Sequence, residues 1–148
     1  MKLTTRSEYA LLAVVFIARE QAGGPVSIES IHDHYAISSK YLESLMRPLK
    51  NGRILKARRG SGGGYTLARQ PDQISVAEII RLMDGPLAPT EAASTHFFAH
   101  TPLEAEKDIL QVFREVRNLV SNYLENIFIS QFLSAGDPEN DAGSKDEI

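Results

Sequence analysis

The stretch RRGSGGGYTLAR, from Arg58 to Arg69, sets fixed positive charge beside flexible backbone. Guanidinium groups next to open N–H groups bind phosphate oxygens, and two chemistries use that pairing: a cradle for nucleotide phosphates, or a hairpin tip laid against a nucleic acid. A phosphate cradle places its glycines between a strand and the N-terminus of a helix. Here the glycines lie between ILKAR and YTLAR, two short alternating segments with Leu55 and Ala57 facing Tyr65 and Leu67. No Gly-Lys-Ser or Gly-Lys-Thr follows, and Tyr65 stands where the third glycine of a dinucleotide fingerprint belongs. The spacing therefore favours the hairpin tip. Arg58 and Arg59, with Gly60, Ser61, Gly62 and Gly63, would reach a narrow minor groove or its flanking phosphates. A mobile, solvated turn is the plainer alternative.

Other reactive groups are sparse. The chain has no cysteine, which excludes disulfides, thiolate nucleophiles and cysteine-ligated zinc or iron–sulfur centres. His96 and His100 are four apart, a spacing that suits a metal on a helix, but no third ligand stands with them, so structural or solvated histidines are the better reading. His32 and His34, two apart on an expected helix, face different ways and make a poor metal pair. No nucleophile–base pattern is visible, and the expectation is a protein that is not an enzyme and holds no metal or cofactor. No run of eighteen apolar residues could span a membrane. The opening MKLTTRSEYALLAVVFIARE carries Arg19 and Glu20 where a leader would need small residues, so it reads as an amphipathic helix rather than an export signal. A cytoplasmic location fits.

The net charge of −3 conceals two unlike halves. Residues 1–69 hold eleven Lys/Arg against five Asp/Glu, a balance of +6, and residues 70–148 hold five against fourteen, a balance of −9. Between 40 and 69 there are eight basic residues and a single acid, Glu43. A local positive field attracts polyanions even on an acidic molecule, although a solvated basic surface has the same composition.

The elements that would position these groups are mainly helical. Tyr9, Leu12, Ala13, Phe16 and Ile17 recur at helical spacing and predict a helix over 6–21, stopped by Gly23-Gly24. Two short helices follow, capped by Ser27 and Ser38 and joined at Ala36-Ile37. Leu42, Leu45, Met46 and Leu49 give the second its buried stripe, and Gly52 supplies the left-handed stop. A helix-turn-helix followed at once by a hairpin is the winged-helix order.

The outward face of the second helix holds Ser39, Lys40, Glu43, Ser44 and Arg47, with Ser38 at its cap. The first turns of such a helix enter the major groove. Lys40 and Arg47 can donate to guanine edges or phosphates, and the serines to either. Glu43 has two readings: it accepts from a cytosine amino group, or it pairs with Arg47 one turn on. Tyr41 reads as a packing residue with its hydroxyl at the protein–DNA boundary rather than as a stacking platform. Pro48 removes one backbone bond near the helix end.

MKLTTRSEYAL, ISSKYLESLMRPLKNGRI, RGSGGGYTLAR and ISVAEIIRLMDG, in this order, resemble the Rrf-two family of bacterial winged-helix regulators. The likeness is close over residues 1–85 and looser to about 134. It implies a DNA-binding transcription factor, usually a homodimer and often a repressor. It also implies that SSKYLES lies in the major groove, the wing lies against the minor groove, and Thr5 and Arg6 at the first helix join the DNA contacts. One departure stands out. Well-known members carry three cysteines between the short helix near residue 84 and the final helix, where this chain reads PLAPTEAASTHFFAHTPLEAEK. The family's usual cluster ligands have no counterpart, so the expectation is a member without an iron–sulfur cluster.

The second half concerns partners. SVAE at 75–78 and TPLE at 101–104 read as capping boxes, the second opening a helix from Pro102 to about Leu133. Such a helix would be roughly 45–50 Å long. Ile109, Phe113, Val116, Val120, Tyr123 and Ile127 step by four and three, the rhythm of a helix–helix seam, and predict burial in a second copy of the chain; packing onto its own domain is the alternative. The expected organisation is a winged helix-turn-helix head at 1–85, a linker or effector loop at 86–101, a dimerisation helix at 102–134 and a disordered acidic tail at 135–148. The expected partners are double-stranded DNA, a second copy, and an effector ligand or partner protein not specified by the sequence. The expected target is a near-palindromic operator. A winged-helix interaction module that has lost DNA binding is the rival.

Overall fold

Apolar spacing puts one face of helix α1 (Thr5–Glu20) into the interior, where Ala10, Ala13, Val14 and Ile17 are inaccessible to solvent. The computed structural model describes residues 1–95 and 97–134. After a 3-10 turn at Gln21–Gly23 come α2 (Ile28–Tyr35), α3 (Ser39–Asn51), a hairpin of β1 (Leu55–Arg58) and β2 (Gly64–Leu67), α4 (Val76–Asp84) and α5 (Lys107–Glu125). No helix among the described residues is long and apolar enough to cross a membrane.

The helix-turn-helix forms as its caps dictate. Ser27 Oγ accepts from Ser30 N at 3.1 Å and Ser38 Oγ from Tyr41 N at 3.4 Å, each satisfying an orphan N–H of the first turn. Between them Ala36 turns the chain with a left-handed φ of 56°. His32 Nδ1 donates to Ile37 O at 2.7 Å, so this histidine ties the turn together. His34 stacks against Phe16 and Tyr35 instead. The stop after α3 differs from expectation. Gly52 has φ −79°, and the left-handed residue is Arg53, at φ 58°. Gly52 matters through close approach: a Cβ there would lie 2.5 Å from Leu82 Cδ1, so its bare backbone lets α4 settle against the end of α3.

The hairpin pairs Leu55 with Leu67, Ala57 with Tyr65 and Arg58 with Gly64. Val26 and Tyr65 exchange bonds of 2.9 and 2.8 Å, so the chain just before α2 lies on the other edge of β2. The wing is thereby anchored to the helix-turn-helix. The principal core gathers Ile17, Ile31, Leu42, Leu45, Leu49, Ile54, Ile74 and Ile79 from α1 to α4. Each such side chain contributes roughly 1.5–3 kcal/mol by leaving water.

The C-terminal third departs most from the sequence reading. TPLE opens only a 3-10 turn, Pro102–Ala105, and α5 runs for 19 residues, about 28 Å rather than 45–50 Å. The helix ends at Glu125 because the chain there finds a better use for its backbone. Ile127 O accepts from Val76 N at 2.8 Å and Ile129 N donates to Ile74 O at 3.0 Å, a short ladder beside the start of α4. Ile129, in a final 3-10 turn at Ile129–Phe132, is fully buried in the principal core. The head is therefore completed by residues far beyond position 85. The tail at 135–148, expected to be disordered, lies outside the described residues, as does His96.

Candidate nucleic-acid interface

The outward face of α3 is as the pattern requires. Leu42, Leu45, Met46 and Leu49 are buried, whereas Ser38, Lys40, Glu43, Ser44 and Arg47 are exposed and Ser39 is half-buried. Tyr41 is half-buried, its ring edge-on to Tyr9 of α1 at 5.6 Å between centroids, the packing role expected of it. Ser44 Oγ donates to Tyr41 O at 2.5 Å, which leaves the oxygen lone pairs to face outward. No ion pair joins Glu43 to Arg47 among the described residues, so the pairing reading of Glu43 is not realised here.

At the wing, Arg58 and Arg59 are exposed with Gly60, Ser61 and Gly62, and Gly63 is half-buried. Gly60 and Gly62 take φ of 95° and 73°, and a side chain on Gly63 would run into the Arg58 carbonyl. The tip thus needs its glycines for backbone reasons and presents its arginines as a consequence. Between wing and α3 runs an open crevice of about 440 Å³ lined by Ser39, Glu43, Gly63 and Tyr65, with Ser27 and Glu29 of the α2 start. The first turn of α3 and the base of the wing thus share one surface. Lys40 and Arg47 of α3 and Arg58 and Arg59 of the wing do not line it but are exposed on the same two elements, none of them in an ion pair among the described residues. Thr5 is exposed and Arg6 half-buried at the start of α1.

Four charged residues were misjudged or missed. Arg69, counted in the basic field, is consumed internally: Nε donates to Arg53 O at 3.0 Å, one terminal nitrogen to Gln73 O at 3.2 Å, and the other to Glu78. Glu78 is therefore drawn away from the backbone of Ser75, and only the serine half of the expected capping box forms, Ser75 Oγ accepting from Glu78 N at 3.2 Å. Glu29, at the start of α2, places a second carboxylate in the crevice beside that of Glu43 in its lining. Asp84 ends α4 yet accepts from Thr4 N at 2.8 Å, Thr4 Oγ1 at 2.5 Å and Ser7 Oγ at 2.6 Å. Burial pushes its carboxyl up, but the bonds from Ser7 and Thr4 and the nearby Arg6 charge outweigh this and hold it below the usual 3.8. A carboxylate at a helix C-terminus faces an unfavourable dipole, and here the start of α1 compensates it.

The seam residues divide. Ile109, Val116 and Tyr123 are exposed, together with Val112 and Leu119. Phe113 packs on Ala92, Ala93 and Leu110, and Val120 and Ile127 pack on Val76, Ile80 and Leu87. Ile127 lies beyond the helix. At 3.6 residues per turn the exposed stripe 109, 112, 116, 119, 123 and the inward stripe 110, 113, 117, 120, 124 occupy adjacent arcs of about 80° each. The expected seam straddled their boundary.

No three His, Cys, Asp or Glu side chains are grouped to hold a metal among the described residues, and His100 lies exposed against Glu104, Nδ1 to Oε2 2.9 Å. Residues 86–101 contain no cysteine, so a thiolate-held cluster of the kind the resemblance implies finds no donors there.

Comparison with known proteins agrees with this geometry. A family model described as "Rrf2: Iron-dependent Transcriptional regulator" matches residues 3–135. The HTH-type transcriptional regulator CymR of Bacillus subtilis is 31% identical over 142 residues, 96% of each chain. IscR of Aliivibrio salmonicida is 29% identical over 140 residues, 90% of this chain and 77% of its own. The solved structure of CymR, the global cysteine regulator of B. subtilis, superposes with a TM-score of 0.72 at 28% identity, over 93% of this chain and 99% of that one. With its helix-turn-helix, wing and long α5 so arranged, the chain belongs to the Rrf2 family of winged-helix, DNA-binding transcriptional regulators and is not an enzyme.

Proposed function

We propose that the protein is a homodimeric repressor that binds a near-palindromic operator and works without an iron–sulfur cluster. The observation that carries this reading is the shared crevice: the first turns of α3 and the base of the arginine-bearing wing open onto one surface, and the same two elements carry Lys40, Arg47, Arg58 and Arg59 exposed and, among the described residues, in no ion pair. Ser38, Ser39, Lys40, Tyr41, Glu43, Ser44 and Arg47 meet the major groove. Arg58, Arg59 and the 60–63 tip meet the adjacent minor groove, and Thr5 and Arg6 meet flanking phosphates. Glu43, in no ion pair among the described residues, accepts from a cytosine amino group.

The second copy covers the exposed stripe of α5. Ile109, Val112, Val116, Leu119 and Tyr123 form a narrow apolar arc, and Tyr123 also borders an apolar groove of about 370 Å³ between Leu12 and Val15 of α1 and Leu124 and Phe132. Stripe and groove are continuous, as a two-fold interface requires when the same patch meets itself. Two heads then present two α3 helices to half-sites about 34–36 Å apart. The absence of cysteine supports a cluster-free regulator.

Selection of genomic fragments followed by anisotropy titration against salt tests the reading. A DNA-binding dimer retains an inverted repeat and loses affinity steeply as salt rises. A chain that ignores every fragment at low salt is an interaction module, and the proposal fails.

A further inference from the structure

Residue 134 is held beside the wing. Arg19, in the last turn of α1, donates from Nε to Phe132 O at 2.6 Å and from a terminal nitrogen to Ser134 O at 3.4 Å. Two residues on, Gln21 Oε1 accepts from Leu67 N of β2 at 2.9 Å. Side chains two residues apart at the end of α1 thus grip both Ser134 and the foot of the wing. Gln21 also lines an open crevice of about 380 Å³ with Lys56 and Arg69, and no aspartate or glutamate stands in that lining. Alternation along β1 puts Lys56 on the hairpin face that carries Arg58, opposite the buried Leu55. Lys56, Arg58 and the adjoining Arg59 are exposed and in no ion pair among the described residues. Beyond Ser134 the sequence reads AGDPENDAGSKDEI, with Asp137, Glu139, Asp141, Asp146 and Glu147 against Lys145, a balance of −4. Arg58 lies opposite Gly64, about 10 Å along β2 from Leu67. Fourteen residues span up to about 46–50 Å extended and roughly 20 Å as a coil, so these acids can reach the arginines.

We propose that the acidic segment 135–148 docks on this face of its own wing, its carboxylates pairing with Lys56, Arg58 and Arg59. The crevice between wing and α3 is the poorer host, because Glu29 and Glu43 line it. The docked segment and a DNA backbone compete for the same two arginines. A tethered segment acts at an effective concentration on the order of millimolar, so even a weak site fills. It masks cations that meet phosphates, so it lowers affinity for every duplex alike and leaves the ranking of sequences to α3. The competition rests on the DNA-binding reading of the wing; the docking does not.

The chain has no cysteine, so Ala142→Cys gives the full-length protein a single site for a nitroxide label and leaves the segment's charge intact. The amide signals of Lys56, Arg58 and Arg59 are read by NMR in that protein and in a second that also carries Asp137→Asn, Glu139→Gln, Asp141→Asn, Asp146→Asn and Glu147→Gln. A segment that only sweeps about its root broadens the wing equally in both. Docking broadens these amides more with the native charges, and the excess disappears at about 0.5 M salt and on adding duplex. Without the label, the five neutralising changes raise affinity for a random duplex about three- to tenfold at low salt. The proposal is overturned if both versions broaden the wing alike, even where neutralisation raises duplex affinity, since long-range repulsion would then suffice. It is equally overturned if the excess falls on another surface, if it arises only between a nitroxide-bearing copy and an isotope-labelled partner, or if duplex affinity changes by less than about twofold. Excess broadening in a protein that binds no duplex keeps the docking and sinks the DNA-binding reading instead.

Discussion

Replacing Asp84 by alanine removes one carboxylate at the end of α4 and should loosen the start of α1, some eighty residues earlier in the chain. The magnitude follows from the groups left behind. Ser7 is 1% exposed, and its hydroxyl at 2.6 Å from Asp84 would lose its acceptor in a place water does not reach. A stranded buried hydroxyl costs about 1–3 kcal/mol. The amide and hydroxyl of Thr4, the N-cap residue, lose the acceptor that a third-position glutamate supplies in a capping box, a further cost of about 1 kcal/mol. The sum is about 2–4 kcal/mol, on the order of 10 °C in Tm for a chain of this length. The pH dependence has a definite sign. The carboxyl is held below its unfolded value, so its stabilisation is complete above that value and is lost as pH falls through the folded one. Thermal unfolding of wild type and Asp84→Ala should differ by a constant amount between about pH 7 and pH 5, and the gap should shrink below about pH 4. In a cycle with Ser7→Ala, the two losses should be strongly less than additive, because both delete the same bond. A gap unchanged at about pH 3, or additive losses, would refute the reasoning.

Arg59→Ala and Arg69→Ala should separate cleanly although the residues lie ten apart on one wing. The exposed Arg59 should leave Tm within about 0.5 kcal/mol of wild type while lowering DNA affinity and reducing the salt slope by about 1. Arg69, bonded to Arg53, Gln73 and Glu78, should lower Tm and leave the salt slope unchanged, and Lys at 69 should not rescue it because a point charge cannot make the forked contacts. Ile129→Ala should cost about 2–5 kcal/mol in denaturant unfolding, as a core residue of the head, and a loss under about 1 kcal/mol would contradict its place there. Leu119→Glu, at a position 72% exposed in the single chain, should yield folded monomers in sedimentation analysis; an unchanged sedimentation coefficient would show that the second copy sits elsewhere.

The head was legible in the sequence because its information is local. Ser27 and Ser38 announce their helices, Leu42, Leu45, Met46 and Leu49 announce the buried face of α3, and the glycine run announces the hairpin tip. Each of these rests on neighbours within one turn of helix or across one hairpin. What the sequence concealed depends on long-range pairing. Val116, Val120 and Tyr123 continue a helical rhythm that Ile127 extends without a break, so nothing local warns that the chain leaves the helix at Asn126 to pair with Ile74 and Val76. Arg69 is an ordinary basic residue until Glu78 and the carbonyls of Arg53 and Gln73 converge on it. Gly52 was read correctly as a stop, but for the wrong cause, because the side chain that needs its bare backbone, Leu82, is thirty residues away.

These long-range ties converge on α4, and the spacing of its charges explains how. Glu78, Arg81 and Asp84 are three residues apart, so successive side chains rotate by about 60° and the three fan across about 120° of the helix surface. A fan of that width cannot serve one neighbour. Glu78 reaches Arg69 at the foot of the wing, Arg81 reaches Glu125 at the end of α5, and Asp84 holds Thr4 and Ser7 at the start of α1. The wing, the first helix and the helix with the exposed apolar stripe are therefore each positioned against the same nine residues. Between them the buried face of α4, Ile79 in the principal core and Ile80 in the cluster with Val120 and Leu124, resists rotation, since turning the helix would expose one set or the other. The Arg81–Glu125 pair thus ties α5 to the same helix that holds the foot of the wing and the start of α1. In the proposed dimer, Arg81 and Glu125, which line neither the crevice nor the apolar groove, are the pair expected to set the placement of the two heads.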